Sequence, residues 1–146
     1  MNTAVQRAEG RVQGALRSKV LRPVALGVAL VLAGGCDSGP KAGEVVFNLT
    51  TPNLNDGAIQ FRLTAAAPNT LDGVTAGCAG CQVFTEAVSE TEIRGVLIGN
   101  VAPGQALRVL VSDRKARDAY TGQVVAVASR TYALGSTTGY SLAPAN

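Results

Sequence analysis

Residues 59–64 alternate apolar and polar side chains one for one: Ile59, Phe61 and Leu63 against Gln60, Arg62 and Thr64. Successive side chains of a strand point to opposite faces, so this pattern fits a strand buried on one side. It does not fit a helix, whose faces recur every 3.6 residues. Val45, Phe47 and Leu49 show the same period, as do Leu107, Val109 and Val111. Between the first two stretches, TPNLNDG supplies Pro52, Asn53, Asn55, Asp56 and Gly57, a dense set of turn formers. These two strands are expected to pair as a hairpin or to face each other across a core.

Further along the chain the alternation loosens. Residues 82–88 alternate only in part, and EIRGVLIGNV, residues 92–101, is apolar on both faces in its middle. That predicts a central strand covered on both sides, with Gly95 or Gly99 marking a bulge or a close approach. Pro103 and Gly104 in APGQ suit the two central positions of a type II turn. DRKARDAYTG, from residue 113, reads as a charged loop or a single helical turn. Residues 123–132 form another strand, 135–139 a flexible turn and 140–142 a short last strand. No repeat, heptad or long helical pattern competes. The expectation is all-β: a single antiparallel β-sandwich of about seven strands over residues 44–146, with a small β-barrel as the alternative. Six aromatics (Phe47, Phe61, Phe84, Tyr120, Tyr132 and Tyr140) leave most of the core to Val, Leu, Ile and Ala.

The first 35 residues differ in kind. Arg7, Arg11, Arg17, Lys19 and Arg22 face one acid, Glu9, and are followed by VALGVALVL, residues 24–32, with no polar side chain. Nine residues at 1.5 Å rise do not cross a hydrocarbon core about 30 Å thick. The run also lacks the polar face of a soluble domain's helix. A basic region, a short apolar region and small residues before a cut together predict a secretory signal peptide. LAGGC, residues 32–36, resembles the lipobox of bacterial lipoproteins, with Ala33 at the place where that pattern prefers leucine and Leu32 one place earlier. The resemblance implies that residues 1–35 are a lipoprotein signal peptide and that Cys36 becomes the mature N-terminus. Cys36 would then carry a thioether-linked diacylglycerol, usually with an amide-linked acyl chain. At about 0.8 kcal/mol per buried CH₂, one acyl chain holds marginally and two or three anchor stably. Residues 36–43, with Pro40 among small polar neighbours, read as a lipid-bearing tether. The implied location is the cell envelope, exported and lipid-anchored to a bacterial membrane on its periplasmic or surface side.

Removing the signal reverses the charge. The chain has 13 basic and 10 acidic residues; five of those bases and one acid precede Cys36, leaving eight against nine and a net −1. A nucleic-acid partner, which requires a concentrated positive face, is not expected. Cys78 and Cys81 remain as an even pair in an oxidising compartment, and a small disulfide closing a glycine-containing loop is the expectation. The pair precedes a strand-like run rather than the helix N-terminus that a redox Cys-x-x-Cys favours. With no histidine in the chain and no second cysteine pair, no metal site or cofactor is expected.

Catalytic residues are not apparent either. Histidine, the commonest general base, is absent, and Lys41 and Lys115 lack a serine at the spacing of known Ser-Lys sites. Glu86, Glu90 and Glu92 cluster near a turn, where carboxylates are usually solvated. In the NLNDG loop, counting Asn53 as first ligand puts Gly57 fifth, which breaks a calcium loop. Tyr120, beside the charged loop, is the one candidate ligand contact.

GEVVFNLTTPNLNDGAIQFRLT, followed by GNVAPGQALRVLVSD, is similar to exported sandwich domains of the cohesin and carbohydrate-binding type. The similarity spans about half of the domain and implies a binding module without catalytic residues. The expected function is a non-catalytic, lipid-anchored envelope module with a protein or glycan partner. A structural or accessory lipoprotein subunit is the alternative, and a small exported enzyme a distant one.

Overall fold

The computed structural model describes residues 39–54 and 56–146. The signal segment, Cys36 and Asn55 lie outside the described residues. Among the described residues nine strands form: β1 (Gly43–Thr50), β2 (Asp56–Ala65), β3 (Leu71–Ala76), β4 (Gln82–Ser89), β5 (Glu92–Val101), β6 (Gly104–Val111), β7 (Tyr120–Ala128), β8 (Leu134–Gly135) and β9 (Ser141–Pro144). A 3-10 turn, Arg117–Ala119, occupies the charged loop.

All ladders are antiparallel and join the strands in the order β3-β6-β1-β9-β7-β2-β5-β4, with β8 attached to β7. The two ends of this path, β3 and β4, lie side by side without a shared ladder, so the sheet is nearly closed into a barrel. Near its middle the path narrows: β9 meets β7 through one residue pair, Gly122 with Leu142. Two halves result, β3-β6-β1-β9 and β7-β2-β5-β4.

The all-β expectation holds, and its period-two pattern accounts for the core. Val45, Phe47 and Leu49 of β1 and Ile59, Phe61 and Leu63 of β2 are all buried, together with Leu107, Val109 and Val111 of β6. Burying a side chain of this size is worth roughly 1.5–3 kcal/mol, so these alternating positions dominate the stability. β1 and β2 do not pair; β1 takes β6 and β9 as neighbours, while β2 takes β5 and β7. They meet only through the shared core. Gly104, the first residue of β6, adopts φ +117°, a conformation that favours glycine.

β3 is a strand that the pattern conceals. Its Leu71 pairs with Val111 and Gly73 with Leu110, so Asp72 is an extra residue that breaks the alternation. A bulge on β5 does fall where a glycine marks it. Ala58 pairs with Ile98 but Asp56 with Val101, and Gly99 sits in the gap at φ +133°. A Cβ there would lie 2.9 Å from the Gly80 carbonyl oxygen.

Candidate functional surface

Side chains on the outer side of β7-β2-β5-β4 follow from the register. Gln60 stands between Val96 and Ala126, Val96 stands opposite Phe84, and Arg94 lies between Arg62 and Glu86. Phe84 is 59% exposed and Val125 49% exposed. Val125 faces outward because β7 carries a bulge: Ala126 pairs with Gln60 and Val124 with Phe61, leaving Val125 as the extra residue. A shallow hollow of about 430 Å³ lies over Gln60, Phe84, Glu86, Arg94 and Val96. A second, smaller one continues across Val96 and Ala126 to Leu134.

The double-sided apolar run of β5 now has an explanation that differs from the expectation. Ile93, Leu97 and Val101 enter the core, as predicted for one side. Among the described residues no layer covers the other side, where Val96 and Ile98 are partly exposed. Gly95 lets Phe61 and β4 approach: a Cβ there would stand 2.6 Å from Phe61 Cζ and 2.7 Å from the Phe84 carbonyl oxygen.

Charge borders this apolar strip. Glu92 accepts hydrogen bonds from Arg62 (2.6 Å) and Arg94 (2.8 Å). Those bonds, Arg62's first, hold the Glu92 carboxyl below the usual carboxylate range. Arg62 Nε is buried and has no hydrogen-bond partner among the described residues. Glu92 is thus part of an arginine-paired border rather than a solvated turn acid.

Tyr120 requires a correction. It is 1% exposed, with its ring in the core; its hydroxyl accepts from the Asp113 N–H (3.1 Å) and donates to the Asp113 carbonyl (3.0 Å). A ring enclosed on both sides cannot stack on a ligand. Its position directly after the charged loop conceals this burial. The exposed tyrosine is Tyr132, 90% accessible, at the tip between β7 and β8 with φ 63°.

Cys78 and Cys81 are joined in the loop between β3 and β4, as expected. The turn between β1 and β2 is closed by its own side chains. Asp56, buried, accepts from Thr51 (3.1 Å), Asn53 (3.0 Å) and the Tyr140 hydroxyl (2.7 Å). Burial in this cluster raises the Tyr140 phenol above its ordinary pKa, and the neighbouring Asp56 adds to the rise. Among the described residues, no three His, Cys, Asp or Glu side chains come together as a metal site. Lys41 is already engaged with the body of the domain: its N–H reaches Asp113 Oδ1 at 3.0 Å. That bond and the Lys115 N–H hold the Asp113 carboxyl below its usual range.

Comparison with protein-family models, curated proteins and solved structures gave no match.

Proposed function

We propose that this chain is an exported, lipid-anchored binding module that holds a protein partner close to a bacterial membrane and carries out no chemistry itself. The observation that carries this reading is the apolar strip of Phe84, Val96, Val125 and Ala126, crossed by Gln60 and bordered by Arg62, Arg94 and Glu86, which no layer covers among the described residues. Apolar side chains clustered at the surface within a rim of polar and charged ones suit an interaction site. A single aromatic among aliphatic side chains suits a protein surface better than a sugar ring, which favours several flat aromatics. The anchor rests on LAGGC ahead of a tether of seven residues, 37–43.

Two substitutions separate the parts of this reading. Cys36→Ser in the full chain should move the protein from the membrane to the soluble fraction; continued membrane retention would refute the anchor. Val96→Arg places a charge in the middle of the strip and should abolish co-isolation of the partner while leaving the melting temperature unchanged. Undiminished co-isolation would refute the face.

A further inference from the structure

We infer that a hollow on the outer side of β2, between Gln60 and Arg62, is an anion site that takes the carboxylate of an aspartate or glutamate on the protein partner. This inference rests on the proposed binding face and names the chemistry of its central polar contact. The hollow, about 260 Å³, is lined by Gln60, Phe61, Arg62, Arg94, Gln123 and Val125. Two of these side chains are cationic, two are amides and none is acidic. The register explains the grouping. Gln123, Arg62 and Arg94 form one row across β7, β2 and β5, and Gln60 is the next outward residue along β2.

Like charges directly across a ladder repel, and here one carboxylate holds two arginines together. Glu92 Oε2 accepts from Arg62 Nη2 at 2.6 Å and its Oε1 from Arg94 Nε at 2.8 Å. A guanidinium has five N–H groups, yet among the described residues neither arginine makes a second hydrogen bond. Glu86, opposite Arg94 on β4, lines the neighbouring hollow and not this one. Donors are therefore in excess over acceptors where the two arginines meet.

Arg62 is also held in place before any ligand arrives. Its Nε is buried and its Nη2 is fastened to Glu92, while 43% of the side chain stays in solvent, within reach of a ligand. A side chain ordered in advance loses little freedom on binding. A carboxylate fits a guanidinium through two parallel hydrogen bonds. Val125, 49% exposed, supplies an apolar wall beside the arginines, which suits the methylene stem of an acidic side chain. A phosphate, polar on every side, makes no use of that wall.

The test titrates the full chain in mild detergent with glutarate and follows the Nε–H signals of Arg62 and Arg94 by NMR. Glutarate should shift both signals to saturation. Glutaramide, its uncharged analogue, should shift neither, and inorganic phosphate should bind more weakly than glutarate. Gln123→Glu sets a carboxylate beside Arg62 and should weaken glutarate binding by about 2- to 5-fold; Gln123→Lys should strengthen it by a similar factor. No saturable shift, equal shifts with glutaramide, tighter binding of phosphate, or effects of equal sign at Gln123 would each overturn the site. Arg62→Gln should also reduce co-isolation of the partner. If Val96→Arg abolishes co-isolation and Arg62→Gln leaves it undiminished, the carboxylate contact is refuted and the binding face stands. Glutarate binding in a chain that co-isolates no protein would support the anion site and refute the partner reading.

Discussion

β3 and β4 occupy equivalent places, each the last strand of its half with one ladder neighbour, yet the chain treats them in opposite ways. β3 buries Leu71 in the core and is fastened at its start: the Leu71 N–H donates to the Glu90 carbonyl at 2.8 Å, and the Thr70 N–H to Ser112 Oγ at 2.8 Å. Its edge is interrupted by the bulge at Asp72. β4 contributes little beyond Val83 to the core and presents a regular, nearly uncharged edge beside an apolar face. One terminal strand therefore contributes to the core at its start, while the other keeps most of its side chains in solvent.

The largest effect that can break this contrast comes from truncation. Leu71→Ala should lose about 2–5 kcal/mol of unfolding free energy, whereas Val88→Ala on β4 should change it by less than about 0.5 kcal/mol. Urea titration of both variants reads the difference, and equal losses would remove the distinction between the strands. Glycines sharpen it further. Gly95→Ala brings a Cβ into Phe61 and the β4 backbone and should lose about 1–3 kcal/mol. Gly73→Ala on β3 meets only Leu110 Cδ1, at 3.8 Å, and should stay within about 0.5 kcal/mol. A similar loss at both positions would mean that close packing is not what distinguishes β5 beneath β4.

The two tyrosines extend the contrast with a smaller effect. Tyr120→Phe leaves the Asp113 N–H without its partner and the Asp113 carbonyl with the Ala116 N–H alone, and should lose about 1–2 kcal/mol. Tyr132→Phe, at an exposed tip, should leave the melting temperature unchanged. The smallest expected effect is in the acid limb of the stability curve. The folded-state pKa of Glu92 is depressed by Arg62 and Arg94, so its contribution is present above the unfolded carboxylate pKa. It is lost as pH falls through the lower folded value. Glu92→Gln should therefore flatten the fall in stability below about pH 4, as measured by thermal melts across pH; an unchanged acid limb would detach Glu92 from its arginines.

Much of the fold was legible in the sequence because burial on one side of a strand writes a period of two. β1, β2 and β6 each show it, and each buries the expected side chains. β3 was not legible, since a single bulged residue shifts the alternation and Gly73 removes a side chain from it. Pairing was legible only in part. β1 and β2 are adjacent in sequence and similar in pattern, but partner choice depends on contacts across the whole sheet. The candidate surface was written in β5, where apolar residues on both faces predicted two covers. The structure supplies one cover, and the second is the open strip. Tyr120 was misread because its exposure depends on where the chain turns after Arg117–Ala119, which neighbouring charges do not reveal.

A photo-reactive side chain compares the two outer faces most directly. In the full chain in its own membranes, the probe at Val96 sits on the β7-β2-β5-β4 face. The probe at Leu110, itself 49% exposed, sits on the outer side of β6. The proposed binding role of the β7-β2-β5-β4 face predicts a single discrete adduct with another protein from position 96 and none from position 110. Adducts of equal yield from both positions, or from Leu110 alone, would contradict it.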